Sequence, residues 1–446
     1  MKRRVAALAV VLSAASAVQA QEAPLTDLIE SLYKRGVIEQ EEYDRYQESK
    51  KEERARSRVD RRERALRDAL DKERLAKLEA KKSWTDKIDF RGYIQLRDSM
   101  VVAGDDDIRL WNDRGVGPNT GISIRRARLI FSGQVSDNLY IYVQPDLASS
   151  AGDTGNVAQL RDAYGDISFD DKREYRIRVG QSKIPYSFEN LQSSQNRLSL
   201  DRNDALNSCC RDERDIGAFF YWAPADKRAM FSDLTRLGLK GSGDYGVIAF
   251  GTYNGQGANR AERNNNMHMV ARFTWPFKTE KDQYYEYGIQ AMTGQFSPIT
   301  SGTVRSSGDY KDQRVALHGV IYPQPWGVQA EWNWGQGPEL NQRTNRIESG
   351  SLSGGYIQVM YRQEDFFGYG VLTPFVKYQN YQGGMKFQTN APATSVNDWE
   401  FGAEWQPRKE IELTLVWQRY NRNDVTRAPY PEFKSDVLRA QLQYSF

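Results

Sequence analysis

The chain ends in VLRAQLQYSF (437–446), and from Leu438 to Phe446 this stretch alternates between two kinds of side chain. One kind is apolar and the other polar, as in Leu438, Ala440, Leu442, Tyr444 and Phe446 against Arg439, Gln441, Gln443 and Ser445. Because successive side chains of a β-strand point to opposite faces, this period predicts a strand with one face in an apolar medium and one in water. Such a strand, closing the chain on an aromatic residue, is typical of a bacterial outer-membrane β-barrel.

The same alternation recurs from residue 84 onward and allows the strands to be counted. A soluble β-sandwich also alternates, but it buries its apolar face in a core and has no reason to end on Phe446. We therefore predict an all-β transmembrane barrel over 84–446, with an even number of antiparallel strands. Sixteen segments fit: 88–100, 122–135, 139–147, 160–170, 175–183, 214–223, 244–254, 266–276, 284–294, 313–322, 327–335, 356–363, 370–380, 398–406, 410–420 and 436–446.

The connections between the predicted strands alternate between short and long, as expected for periplasmic turns and outer loops. Residues 224–243 break this alternation, and we interpret them as an inserted hairpin or another excursion. The polar segment 184–213 follows the fifth strand and is either an outer flap or a loop folded into the lumen. The general plan of such barrels favours the second, which is an analogy at the level of the fold.

The N-terminal part of the chain has a different character. Residues 1–20 combine Lys2, Arg3 and Arg4 with an apolar run and a small-residue cleavage site, which predicts a secretory signal peptide. Residues 21–83 show helical spacing, with a break at Gly36 and a second helix from about Gln40. From 48 to 82 this segment is highly charged with few large apolar residues, so it predicts a weak coiled coil or a solvated spacer helix in the periplasm.

Composition excludes several functional classes. The chain has 62 Lys and Arg against 59 Asp and Glu, so after loss of the signal peptide it is nearly neutral and has no general basic signal for nucleic acid. Only two histidines, His268 and His318, are present, and they stand in no catalytic or metal-binding pattern. We therefore expect no enzyme, metal site or cofactor. Cys209 and Cys210 are adjacent, and they form a vicinal disulfide, bond to other chains or remain surface thiols without a role.

The stretch ISIRRARLIFSG (122–133) holds the candidate pore residues. By parity, Ala127, Leu129 and Phe131 face lipid, while Arg126 and Arg128 face the lumen. Arg125 has lipid-face parity, so it lies near the outer rim or a β-bulge turns it inward. Lumen arginines attract anions because a guanidinium suits phosphate and carboxylate groups and stays charged. The alternative is that they pair with lumen carboxylates, such as Asp162 or Glu404, and brace the barrel.

The chain resembles the phosphate-selective porin O and P family of Gram-negative outer membranes over about residues 85–446. Four motifs carry the resemblance in order: RRARLIFSG (125–133), LRDAYGDISF (160–169), RVGQSKIPYSFENLQSSQNRLSLDRN (178–203) and TYNGQG (252–257). The resemblance implies a trimer of sixteen-stranded barrels, each with the 184–213 loop folded inward.

The resemblance also implies particular site residues. The family's paired arginines fall on Arg125 and Arg126, and an arginine near the end of the infolded loop falls on Arg202. Two positions depart from the pattern: a lysine of the phosphate-selective members is Asn190 here, and an arginine after the first-strand glycine is Tyr93. Both differences remove positive charge, so the resemblance favours a porin more firmly than phosphate selectivity. The predicted pore-lining residues are Tyr93, Arg125, Arg126, Arg128, Arg197 and Arg202.

Together these features predict a porin in the Gram-negative outer membrane that lets small hydrophilic solutes diffuse passively, with a preference for phosphate or other anions. The expected partners are anionic or polar solutes, the lipid bilayer with its lipopolysaccharide, and two further copies of the chain. An alternative function is an envelope-tethering barrel that touches the cell wall through the basic helix in 21–83.

Overall fold

The structure, a computed structural model, describes residues 27–80, 84–113, 115–117, 121–150, 155–210 and 214–446. The chain divides between Ser83 and Trp84 into two compact units. The predicted signal peptide, residues 1–20, lies outside the described residues.

The first unit is helical. Helix α1 covers residues 27–34 within the described range, and α2 covers Gln40–Ala80. Gly36 lies between them with φ +70°, a conformation that glycine adopts without steric cost and that ends a helix. Three large apolar residues of α2, Val59, Leu66 and Leu70, are exposed. No helix among the described residues has both the length and the apolar character needed to cross a membrane.

The second unit is a closed antiparallel barrel of sixteen strands, in which each strand pairs with its neighbours in the chain and β1 pairs with β18. The predicted number and positions of the barrel strands are confirmed. In chain order, with a small hairpin (β10, β11) between β9 and β12, the strands are β1 Asp89–Gly104, β2 Ser123–Gln134, β3 Leu139–Ser150, β4 Asn156–Ser168, β5 Tyr175–Lys183, β6 Arg214–Trp222, β7 Ile248–Tyr253, β8 His268–Lys278, β9 Tyr284–Phe296, β10 Ile299–Ser301, β11 Val304–Arg305, β12 Tyr310–Ile321, β13 Trp326–Asn341, β14 Arg346–Tyr361, β15 Val371–Gly384, β16 Ala393–Arg408, β17 Ile411–Asn423 and β18 Glu432–Ser445.

The C-terminal stretch closes the barrel. Residues of β18 pair with β1 from Tyr93 opposite Ser445 to Gly104 opposite Ser435. Phe446 continues the pairing, since its N–H donates to the carbonyl of Gly92 (3.0 Å) and its carbonyl accepts from the Gly92 N–H (2.8 Å). Leu438 is 45 % exposed on the outer face, whereas Arg439 is completely buried in the lumen. The alternation that predicts this strand is therefore the alternation between lipid face and lumen.

The connections alternate between two ends of the barrel. The end with β2–β3, β4–β5 and the C terminus is here named the short-turn end, and the opposite one the long-loop end. In outer-membrane barrels short turns face the periplasm.

The β6–β7 connection, at the short-turn end, holds helix α5 (Ala225–Arg236) and then a coil to residue 247. Of the two alternatives predicted for 224–243, an inserted hairpin or another excursion, the structure shows the second, an excursion that contains a helix. It folds against the lumen, where Leu234 and Leu239 pack with Phe188, Tyr284 and Tyr322. An apolar helix face buried against the barrel explains why no second strand pair forms here.

The segment after β5 lies inside the barrel. It contains two short helices, α3 (Phe188–Leu191) and α4 (Asp204–Asn207), and nearly all of its residues from 184 to 210 are buried. Its side chains and backbone bind the wall: Tyr186 donates to Asn333 (2.7 Å), Ser199 to Glu400 (2.7 Å) and the Asp204 N–H to Gln379 (3.1 Å). We name residues 184–210 the infolded loop. Residues 211–213 of the predicted segment lie outside the described part.

Candidate functional site

Arg125 occupies a bulge in β2. The pairing of β1 with β2 shifts between Gln95, opposite Arg126, and Leu96, opposite Ile124, so that Arg125 has no partner of its own. A bulge of this kind re-aims a side chain that strand parity would send to the other face. The guanidinium of Arg125 donates to the carbonyl of Asn112 (2.9 Å) and lies 3.8 Å from Asp113 and 4.0 Å from Asp201.

These contacts belong to a cluster of three arginines and two carboxylates, which we name the acid–arginine cluster: Arg97, Arg125, Arg439, Asp113 and Asp201. Asp113 accepts from both Arg97 (2.5 Å) and Arg439 (2.5 Å), and Asp201 accepts from Arg439 (2.6 Å) and Arg97 (3.3 Å). The cluster joins β1 and β18 to the connection after β1 and to the infolded loop. Its charges are largely neutralised among themselves.

The two carboxylates of this cluster are held ionised. Burial would raise the pKa of Asp113, but the nearby charges of Arg97, Arg125 and Arg439 outweigh burial and lower that pKa to about 2. Burial likewise opposes ionisation of Asp201, and Arg439, Arg97 and Arg125 lower its pKa well below the usual range. Both groups are therefore carboxylates throughout the physiological range of pH.

Arg126 and Arg128 point into the lumen, and their surroundings differ. Arg128 is paired with Asp146 (2.7 Å) and also donates to the hydroxyls of Tyr93 (2.9 Å) and Ser194 (3.1 Å). Tyr93 itself is buried and its hydroxyl lies 2.6 Å from that of Ser194 on the infolded loop. Arg126 donates to Gln95 (2.8 Å) and, among the described residues, has no carboxylate within 4 Å.

Arg197 and Arg202 are turned toward the backbone of the infolded loop. Arg197 donates to the carbonyls of Ser199 (2.8 Å) and Leu200 (2.9 Å), and Arg202 donates to those of Glu189 (3.2 Å) and Gln192 (3.1 Å). Asn190, where the resemblance expects a lysine, donates to the Ile184 carbonyl (2.9 Å). These three side chains hold the shape of the loop by satisfying carbonyls that would otherwise be buried without a partner.

A water-accessible cavity of about 460 Å³ lies between the infolded loop, the inner wall of β1–β5 and the β6–β7 connection, and we name it the lumen cavity. Of the six predicted pore residues, Arg128 lines it. Eight cationic and three anionic side chains line its described surface: Arg91, Arg128, Arg173, Arg176, Arg178, Lys183, Arg214 and Arg228 with Asp162, Asp166 and Asp244. Even when Asp146 is counted as the partner of Arg128, cations outnumber carboxylates two to one.

Most of these cavity residues are missing from the sequence prediction, although parity could have found them. Arg176 and Arg178 share one face of the fifth strand, and Arg91 shares its parity with Tyr93 on the first. The prediction that carboxylates brace the lumen is confirmed in part by geometry. Asp162 pairs with Arg214 (2.9 Å), whereas Glu404 pairs with Lys240 of the β6–β7 connection and not with an arginine.

The remaining reactive side chains lie in packed surroundings. His268 contacts Asp312 (3.2 Å) and His318 contacts Glu286 (3.4 Å). Cys209 and Cys210 are free thiols and both are buried, so two of the three alternatives, a vicinal disulfide and surface thiols, are wrong. The infolded loop carries them against the wall beside Met292, which sequence spacing could not indicate. Among the described residues, no group of three or more His, Cys, Asp or Glu side chains could hold a metal ion.

Several solved structures have a fold similar to that of this chain. OmpF of Salmonella typhi, solved with daunomycin, has a TM-score of 0.53 at 14 % identity and covers 81 % of this chain and 98 % of its own. The outer-membrane channel DcaP of Acinetobacter baumannii gives 0.49 at 13 % identity, covering 80 % and 97 %. The anion-selective porin of Comamonas acidovorans gives 0.48 at 9 % identity, covering 80 % and 99 %. At these identities the likeness concerns the fold alone.

Comparison of sequences is more specific. A search of curated proteins gives no significant match. The profile of one protein family, phosphate-selective porin O and P, matches residues 99–446, which is more than three quarters of the chain. This range includes the bulged strand β2, the infolded loop and the closing strand β18. The chain therefore belongs to the phosphate-selective porin O and P family and is a channel of the Gram-negative outer membrane.

Proposed function

We propose that this channel lets small hydrophilic solutes diffuse passively and prefers anions. The observation that carries the proposal is the excess of cationic side chains around the lumen cavity, eight against four carboxylates when Asp146 is included. Fixed positive charge in a narrow aqueous passage raises the local concentration of anions and lowers that of cations. Guanidinium groups replace part of the hydration of a passing anion, weakly enough that it leaves again.

We further propose the setting in which this channel works. Residues 1–20 direct secretion, residues 21–83 lie in the periplasm, and three copies of the chain associate, as the family membership supports. Contact of the highly charged helix α2 with the cell wall is a second role for the same protein. Its support is that most side chains along the described part of α2 are exposed.

The test of anion preference is the reversal potential of single channels in planar bilayers under a KCl gradient. The wild-type protein should be more permeable to chloride than to potassium. Arg91→Gln should lower the ratio of chloride to potassium permeability about two- to fivefold, because one unit charge about 4 Å away is worth about 1 kcal/mol in water. Arg126→Ala and Arg128→Ala should change it in the same direction.

Arg343→Gln serves as the matched control, because Arg343 is exposed on the β13–β14 connection and away from the lumen cavity. It should leave the ratio unchanged. A channel that prefers potassium would refute the anion preference, and a protein that never conducts would favour the tethering role.

A further inference from the structure

The lumen cavity has more aromatic surface than a passage for inorganic ions requires. Four tyrosines line it: Tyr140, Tyr142, Tyr164 and Tyr245. Tyr142 and Tyr164 stack with ring centroids 5.2 Å apart and an interplanar angle of 9°. Tyr140 makes no ring, cation or side-chain hydrogen-bond contact with any described residue. The cavity therefore offers an aromatic wall in which at least one ring is unengaged.

The same side chains offer unused hydrogen-bond donors. The hydroxyls of these four tyrosines make no hydrogen bond with any described residue. Arg91 donates to the Ser132 hydroxyl (3.1 Å), lies over the ring of Tyr142 (5.9 Å) and, within the described part of the chain, has no carboxylate within 4 Å. Phenol and guanidinium donors that face open space suit the oxygens of an anion.

The volume of the lumen cavity favours an organic anion over a small inorganic one. Sites for organic ligands usually have volumes of about 300–1,000 Å³, and the lumen cavity, at about 460 Å³, lies inside that range. Arg178 already covers the ring of Tyr164 (3.8 Å), but Tyr140 has no such contact. A small tetrahedral anion would leave the Tyr140 ring without a partner, whereas a flat ring can stack on it. A ligand with several negative charges would in addition be attracted by the excess of cationic side chains that line the cavity.

We propose that the lumen cavity is a binding site for aromatic polycarboxylates, that is, planar anions with two or more carboxylates on an aromatic ring. Tyr140 and the Tyr142–Tyr164 pair would contact the ring, and Arg91 and the tyrosine hydroxyls would bind the carboxylates. This inference rests on the proposed anion-preferring function and specifies the class of solute that the cavity retains longest.

The test compares two blockers of equal charge and similar shape in single-channel recordings at pH 7. Benzene-1,3,5-tricarboxylate has the aromatic ring, and cis,cis-cyclohexane-1,3,5-tricarboxylate lacks it. The aromatic compound should block the wild-type current at a concentration about two- to tenfold lower, which is the usual value of one aromatic pair. Inorganic phosphate should block more weakly than the aromatic compound. This comparison needs no variant, so it does not depend on the folding of a mutant.

Two variants locate the effect. Tyr140→Leu should bring the two blocking concentrations together, because it removes the ring and keeps an apolar side chain. Tyr287→Leu is the control, since Tyr287 is on the outer face of β9 and 52 % exposed. It should preserve the difference between the compounds.

Equal block of the wild-type channel by the two tricarboxylates overturns the inference, and so does a difference that survives Tyr140→Leu. Either result leaves the anion preference standing if chloride remains more permeable than potassium. Loss of that preference would instead refute the proposed function.

Discussion

At the residue scale, the lumen holds two kinds of arginine. The arginines of the acid–arginine cluster share Asp113 and Asp201, so their charge is largely neutralised within the protein. Arg91 and Arg126 have uncharged side-chain partners, Ser132 and Gln95. Their positive charge is therefore not neutralised by an ion pair with any described residue. The number of lumen arginines therefore overestimates the electrostatic field that acts on a solute. Whether an arginine is paired with a carboxylate decides whether it contributes to that field.

Asp113→Asn should destabilise the barrel by about 3 kcal/mol, because it leaves three guanidinium groups, two of them buried, with a single carboxylate. Thermal or urea unfolding of the refolded protein in detergent measures this loss. Asp107→Asn is the control in the same connection, since Asp107 forms an exposed ion pair with Arg427 and should matter little. Equal effects of the two substitutions would contradict the structural role given to the cluster.

Acid should weaken the cluster over a defined range of pH. The pKa of Asp113 is lowered from 3.8 to about 2, so its contribution to stability is complete above about pH 4 and is lost as the pH falls through 2. The shift corresponds to about 2 kcal/mol. Unfolding midpoints recorded from pH 6 to pH 2 should drop at the acid end, and Asp113→Asn should flatten that drop. A wild-type curve that is level between pH 4 and pH 2 would exclude this account.

At the scale of elements, the sequence predicts secondary structure best in the barrel strands, where one face of each strand contacts lipid and the other contacts water. All sixteen strands follow from alternation, because lipid and water sort the side chains of each strand independently of its partners. For Arg125 the sequence leaves open a place at the rim or a bulge, and contacts with Asp113 and Asp201 accompany the bulge that is found. The helix α5 does not follow from alternation, since its packing involves Tyr284 and Tyr322. For the same reason the carbonyl partners of Arg197 and Arg202 appear only in the folded loop, although both residues are among the predicted pore residues and Arg202 also has a counterpart in the family.

The infolded loop depends on Glu189. Its carboxylate accepts from the N–H (2.8 Å) and the amide (2.6 Å) of Asn203 and pairs with Lys377 on β15. Burial opposes ionisation, but Lys377 and Arg197 lower the pKa of Glu189 below its ordinary value.

Glu189→Ala should loosen the loop and raise single-channel conductance with added current noise. Glu348→Ala, on an exposed hairpin, should leave the recordings unchanged, and a quiet Glu189→Ala channel of wild-type conductance would contradict this role.

At the scale of the whole molecule, the two units are separate in composition and in structure. The barrel closes on itself through β1 and β18 and completes its hydrogen bonds without the N-terminal helices. A chain that lacks residues 21–83 should therefore fold and conduct with the wild-type conductance and chloride preference. Planar-bilayer recordings of the refolded protein measure both the conductance and the chloride preference. A truncated protein that fails to fold, or that loses its ion preference, would show that the N-terminal unit belongs to the pore.

The uneven placement of paired and unpaired charge along the barrel has an electrical consequence. Arg91 and Arg97 are six residues apart on β1, which is about 20 Å along the strand. Arg91, with the excess of cations, lies nearer the short-turn end, and Arg97, with its neutralising carboxylates, nearer the long-loop end. A passage charged at one end and neutral at the other behaves as a weak diode. In symmetric KCl, this barrel should pass unequal currents at equal voltages of opposite sign, so that it acts as a weak rectifier built from fixed charge.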